Sequence, residues 1–421
     1  MKQQNKFKET EIGKIPEGWE IKRIGEVCHL VKDQYKPKSS ENLPYIGLEH
    51  IQQGTLKLNS IGNSSDTISN KFRFKKGQIL FGKLRPYFRK VYRPSFDGVC
   101  STDIFVIDSE KGTANSFLFY FFANPKIIEE ASRPAEGTRM PRASWNYLSN
   151  LNEQFPRETE QKAIAKILSD LDSKIELNQE MNQTLEAIAQ AFFKYWFVDF
   201  EFPNEKGKPY KSEGGKMIDS ELGEIPVGWH MAAMIDYFDF IKGVEPGHKQ
   251  YNTENRGKRF FRVGNLTGKR NDQIYVDIPS SVYCSKSDVL MSFDGTVGII
   301  RIGLEGVYSS GIQKIKPKGP LFEQFFTYLL VKSNIVQKQI ESFIGNETTI
   351  KHVGKHIPDI KFVLPNEKNQ EMIFRFNTNL QPIFNKILEN LDEIGTLINI
   401  RDSLLPKLMS GQIRVPVEER T

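Results

Sequence analysis

From Thr159 to Phe200 the chain reads TEQKAIAKILSDLDSKIELNQEMNQTLEAIAQAFFKYWFVDF, without a glycine or proline and rich in Ala, Glu, Gln, Lys and Leu. Such a stretch favours one continuous helix. Alternating steps of four and three from Ile164 pass through Leu168, Leu171, Ile175, Asn178, Asn182, Leu185, Ala189 and Phe192. All but the two Asn are apolar. A period of 3.5 residues marks the narrow seam of a coiled coil rather than the broad face of a helix on a globular core. At about 1.5 Å per residue this helix reaches ~60 Å, and two consecutive Asn in its seam trade stability for register.

A partner stands in the same chain. The stretch QEMIFRFNTNLQPIFNKILENLDEIGTLINIRDSLLPKL runs from Gln370 to Leu408. Its seam is Ile373, Asn377, Leu380, Phe384, Ile387, Leu391, Ile394, Ile398 and Arg401, the first seam displaced by 209 positions from Ile164 to Ile373. Pro382 interrupts the uniformity. A proline there predicts the first turn of a fresh helix, or else a kink.

The displacement is not confined to the helices. TEIGKIPEGWE at 10–20 returns as SELGEIPVGWH at 220–230, and GQILFGK at 77–83 sits over SDVLMSF at 287–293. GVCSTDIFVI at 98–107 sits over GVYSSGIQKI at 306–315, and LNEQFPRETEQKAI at 151–164 over IKFVLPNEKNQEMI at 360–373. The chain is therefore a twofold internal repeat of a globular region followed by a long helix. Short apolar strands such as 78–81 and 104–107, followed by a helix at 116–123, make each globular region mixed α/β. The polar, Gly-rich PNEKGKPYKSEGGK at 203–216 reads as the link between repeats. The boundaries expected are 1–155 for the first globular region and 156–202 for its helix. The link with the second region takes 203–363, and the second helix with the tail 364–421. If the helices pair antiparallel, a pseudo-twofold arrangement places the globular regions at opposite ends, as suits two half-sites on a duplex at fixed separation.

Composition narrows the class. A chain of 421 residues with 38% hydrophobic content is folded and multidomain. Its apolar run at 117–122 is too short to span a membrane, and the amino terminus has no apolar core, so a cytoplasmic location is expected. Three scattered cysteines fit a reducing compartment. The net charge is +6, yet residues 1–150 alone carry 24 Lys and Arg against 16 Asp and Glu. That bias suggests a polyanionic partner, although a basic solvated face is the commoner explanation of charge alone. No Asn-Pro-Pro-aromatic tetrapeptide, Gly-rich fingerprint or phosphate-binding loop is present. His352 and His356 have a spacing seen in zinc sites, but Gly354 between them and the missing glutamate argue against a metal.

Taken together, ELGEIPVGW, QKAIAKILSDLDSKIELNQEMNQTLEAIAQAFFKYWFVDFE, the terminal LLPKLMSGQIRV and the internal GQILFGKLRPYFRKV resemble the specificity subunit of type I restriction–modification enzymes. The resemblance covers the whole chain and rests on the order and spacing of these stretches. It implies two tandem target-recognition domains, separated and followed by long helices, that bind double-stranded DNA without catalysis. It further implies two modification subunits as partners, restriction subunits through them, and no cofactor on this chain. S-adenosylmethionine, ATP and Mg would sit on the partners. The competing readings are a stand-alone two-headed DNA-binding regulator and a fused nuclease or methyltransferase.

Candidate DNA-contacting residues come from loops with cations. KFRFKKGQILFGKLRPYFRKVYRP at 71–94 interleaves basic and aromatic side chains. Its first part reads best as an amphipathic strand with one solvated side. Gly82 and Pro86 bracket a loop that offers Lys83, Arg85, Tyr87 and Arg89 to phosphates or bases. GTRMPRAS at 137–144 offers Thr138, Arg139 and Arg142, with a purely structural turn as an even alternative. The candidates in the second repeat are Asn265, Lys269, Arg270, Asp294, Thr296, Thr348, Lys351 and His352. Glu49 and His50, at the place of Gly264-Asn265, suit a base contact or a hairpin turn. The aromatic end of the first helix, with Phe193, Trp196 and Phe197, and the tail residues Leu404 and Leu405 are expected to dock partner subunits. Packing on the neighbouring domain competes for about half of those rings.

Overall fold

The computed structural model describes residues 7–133, 140–268, 273–278, 282–346, 350–367 and 370–416. The chain forms two compact units, one of residues 1–175 with 396–421 and one of residues 176–395. Each long helix contributes a segment to both.

In the first unit, apolar strands too short to be helices pair into a four-stranded antiparallel sheet. Its order is Val91–Tyr92, Ile79–Gly82, Ile104–Ser109, Cys28–Leu30. Register sets Ile104 opposite Gly82 and Ile107 opposite both Ile79 and Leu30. Ile79–Gly82 is buried at every position, as its unbroken apolar run requires. The helix Asn115–Ala123 buries seven of its nine side chains, and the Phe81 and Phe122 rings meet edge-on at 5.8 Å. A second sheet holds one parallel junction, Val99 beside Tyr45, among antiparallel neighbours.

The second unit repeats this plan with different residues. Its four-stranded sheet runs Ile300–Arg301, Val289–Ser292, Ile312–Pro317, Phe238–Lys242, again wholly antiparallel. The parallel junction returns as Phe260 beside Val307. The covering helix is Gln324–Lys332. The strands and helices anticipated at 78–81, 104–107 and 116–123 therefore stand within a residue or two of their places. Most of the repeat that is faint in sequence is plain in topology.

The long helices are Glu158–Phe197 and Glu371–Met409, the latter continuous through Pro382. Pro382 is exposed, where a lost amide hydrogen bond is least costly. Within each unit the helix segments run antiparallel. In the second unit Asn178 Nδ2 donates to Glu393 at 2.8 Å, Asn390 Nδ2 to Asn182 Oδ1 at 2.8 Å, and Asn182 Nδ2 to the Ile387 carbonyl at 3.2 Å. In the first unit Arg401, which ends the second seam, is only 4% exposed and reaches Asp172 at 2.8 Å. The Tyr120 hydroxyl donates to the same carboxylate at 2.7 Å. Every polar seam residue but Asn377, whose Nδ2 makes no hydrogen bond among the described residues, thus has a partner.

Two expectations change here. The first seam leaves its 3.5 period after Ala189: Phe192 is 47% exposed and Phe193 is buried instead, because the helix end packs on a domain core rather than on one helix. For the same reason Phe193, Trp196 and Phe197 are not an exposed patch. They pack against Phe326, Phe376 and Trp229 in the second unit's core. Leu405 is likewise buried in the first unit's core, with Leu404 half-buried beside it. The rings left on the surface are Phe192, Tyr195 and Phe374.

Candidate nucleic-acid interface

The loop after Ile79–Gly82 and the segment after residue 139 are separate in sequence and adjacent in the fold. Leu84 bridges Arg142 as an antiparallel pair, the Arg85 amide donates to the Pro141 carbonyl at 2.8 Å, and the Ala143 amide to the Lys83 carbonyl at 2.9 Å. A third loop closes the group: the Lys83 amide donates to the Asp103 carbonyl at 2.8 Å. Around Pro86–Phe88 the backbone is left-handed at both ends, with φ 51° at Arg85 and 50° at Arg89. Non-glycine residues occupy that region only where the surroundings hold them.

The individual side chains divide. Tyr87 is 49% exposed and rests edge-on against Phe88 at 4.7 Å. Arg142 projects, its side chain 62% exposed, with Nη1 3.1 Å from Asp103 Oδ1. Arg85 is half-buried over the Phe88 ring, and its Nε is buried with no hydrogen-bond partner among the described residues. Lys83 and Arg89 do not project as expected. Lys83 Nζ donates to the Thr102 carbonyl at 2.6 Å and lies 4.7 Å over the Phe105 ring, and burial lowers its pKa. Arg89 turns inward to the Ala123 carbonyl at 3.2 Å, and burial lowers its pKa too. Both brace the loop, Lys83 through ring faces and a carbonyl and Arg89 through the carbonyl at the end of the helix Asn115–Ala123. Thr138 and Arg139 lie outside the described residues.

The second unit builds the matching corner. Phe293 follows Val289–Ser292 as Lys83 follows Ile79–Gly82, and its amide donates to the Gly311 carbonyl at 2.9 Å. Asp294 and Thr296 sit exposed in the turn that follows. The segment Ile350–Asp359 lies against it, since a Cβ on Gly354 would come within 2.6 Å of the Phe293 carbonyl oxygen. Asn265 also has a local role: its Oδ1 accepts the Arg262 amide at 2.8 Å and caps the turn Val263–Leu266. A short polar side chain at that position satisfies an otherwise orphaned amide. His50 serves a similar local role, accepting the Gly47 amide at 2.9 Å. Lys269, Arg270 and Thr348 lie outside the described residues, as do the side chains of Lys351 and His352.

Sequence reasoning missed Asp103. The signal was present: GVCSTDIF and GVYSSGIQ agree in pattern but place Asp103 over Gly311. Among the described residues no group of His, Cys, Asp and Glu could hold a metal, and no helix is long and apolar enough to cross a membrane. Cys28, Cys100 and Cys284 are buried free thiols, and burial pushes Cys100 and Cys284 up to about 12.

The chain is thus a duplicated mixed α/β fold with loop clusters at matching strand ends and paired helix segments. The model of the type I restriction modification DNA specificity domain matches residues 16–187 and again 226–394. The chain belongs to that family and carries its domain twice; its role is DNA sequence recognition for a type I system, with no catalysis of its own. It is 26% identical to the type I restriction enzyme MjaIX specificity subunit of Methanocaldococcus jannaschii, covering 98% of this chain and 97% of the relative. It is 25% identical to the HindI specificity subunit of Haemophilus influenzae, over 94% and 99% respectively. The fold is like that of the type I restriction–modification S subunit from M. genitalium, with TM-score 0.50, 17% identity, and 93% and 96% of the chains covered.

Proposed function

We propose that each globular domain reads one half of a bipartite, asymmetric DNA target and that the paired helices set the distance between halves. The observation that carries this reading is the repeated corner. One strand order recurs, but Lys83-Leu84-Arg85 in the first domain is replaced by Phe293-Asp294-Gly295 in the second. Similar scaffolds with different reading loops suit two different half-sites. Two modification subunits, which would hold S-adenosylmethionine, assemble on the chain and bring restriction subunits with their ATP and Mg. Their docking surface includes Phe374, 62% exposed, beside a groove of about 670 Å³ lined by Pro320 and Leu321. Arg85, Tyr87 and Arg142 are the first domain's contact residues, and Asp294 and Thr296 the second's. The test is to co-express the chain with a type I modification subunit and map adenine methylation across a genome. An asymmetric two-part motif is the expected result. Specific binding by the chain alone, with no complex and no methylation, would instead favour a stand-alone regulator.

A further inference from the structure

Arg142 and Asp103 form an ion pair that the fold does not need. Exposed pairs of this kind contribute little to stability. The corner that carries Asp103 forms equally well without its side chain. In the second domain Gly311 stands at the same place and its carbonyl accepts the same amide hydrogen bond, 2.9 Å against 2.8 Å. A carboxylate nevertheless returns there from another position. A Cβ on Gly311 would stand 3.4 Å from Asp294 Oδ2, so the Asp294 carboxylate lies beside the place that Asp103 takes in the first domain. Both domains thus keep an acid amid loops expected to meet a polyanion, where an acid repels phosphate. An acid in such a place is explained by contact with base edges or by holding a cation that makes one.

The geometry points to Arg142 as a guanine-reading side chain of the first half-site, with Asp103 as the positioning residue that orients its guanidinium. This deepens the proposed DNA-reading function and rests on it. The backbone of Arg142 is fixed on both sides, by Pro141 to Arg85 and by Ala143 to Lys83, while its side chain projects into solvent. One guanidinium nitrogen is held by Asp103 at 3.1 Å. The remaining donors of the planar fork are left to match the O6 and N7 acceptors of guanine in the major groove. The variants change only the first domain, where Asp103 stands at the place of Gly311 in the second, so the second half-site serves as an internal control.

The experiment uses the chain in complex with its modification subunit. Methylation is mapped genome-wide for the wild type, Arg142→Ala, Arg142→Lys and Asp103→Asn, and binding to the mapped duplex is measured against salt. Arg142→Lys keeps the charge but loses the fork. It is expected to relax one guanine position in one half-site, lowering preference there about 10- to 100-fold. Asp103→Asn keeps the size and is expected to relax the same position by less, with the other half unchanged. If Arg142→Lys retains full discrimination while Arg142→Ala weakens all sequences alike and lowers the salt slope by about one, Arg142 is a phosphate contact and the proposal is overturned. Relaxation at a position other than guanine overturns it too. Should Arg142→Ala fail to fold, the Lys and Asn variants decide. A wild-type complex that methylates no bipartite motif overturns the underlying function instead.

Discussion

Replacing Arg401 by Met tests what holds the two long helices together in the first unit. Arg401 is buried, salt-bridged to Asp172 at 2.8 Å and to Asp402 at 3.0 Å. Removing one partner of a buried pair costs about 3–5 kcal/mol, because the other charge is left desolvated and unpaired. Here the Asp172 side chain is 22% exposed and keeps the Tyr120 hydrogen bond, which moves the expectation to roughly 2–3 kcal/mol. For a unit of this size that corresponds to a fall of about 4–12 °C in its melting temperature. Urea and thermal unfolding of the full chain read the effect. A double variant, Asp172→Leu with Arg401→Met, is expected to recover most of the loss, since replacing both charges by apolar groups removes the desolvation term. A single variant within about 0.5 kcal/mol of wild type would show that the pair behaves as an exposed one and refute the reasoning.

Four further outcomes follow from the structure. Replacing Asn182 and Asn390 together by Leu should leave unfolding stability equal or higher while loosening register, read as methylation of targets with more than one spacing; a single unchanged spacing counts against a register role. Phe374→Ser should weaken assembly with modification subunits in a pull-down and leave the motif unchanged, whereas Trp196→Ser should lower the melting temperature because its ring is in the core. Exchanging residues 20–150 for another domain of the family should alter one half of the methylated motif, and a change in both halves would contradict modular reading. Burial raises the Asp108 pKa, but hydrogen bonds from Asn115, Gln78 and the Ser109 amide outweigh it and hold the group below its usual value. Its contribution is therefore fully present above the ordinary carboxylate pKa of about 4 and is lost as pH falls through the lower folded value. Asp108→Asn should flatten that acid limb in pH-dependent unfolding.

The sequence by itself determined the architecture. A 3.5-residue seam and its echo 209 positions later, from Ile164 to Ile373, define two paired helices, because seam periodicity is written in adjacent residues and survives without knowledge of the partner. The repeated Gly-Trp and strand stretches likewise exposed the duplication and the family, and placed the loops at strand ends. What sequence could not decide was which side chains leave those loops. Lys83 and Arg89 carry the same charge as Arg142, but an aromatic ring and a carbonyl draw Lys83 inward and a carbonyl at a helix end draws Arg89. Trp196 and Phe197 looked like an exposed surplus because the core they fill is assembled from strands and a helix far along the chain. The pairing of Leu84 with Arg142, and the acid Asp103 beside it, joins three segments whose separations in sequence carry no periodic signal. Local patterns fix elements; long-range packing decides exposure, and exposure decides which charges can meet DNA.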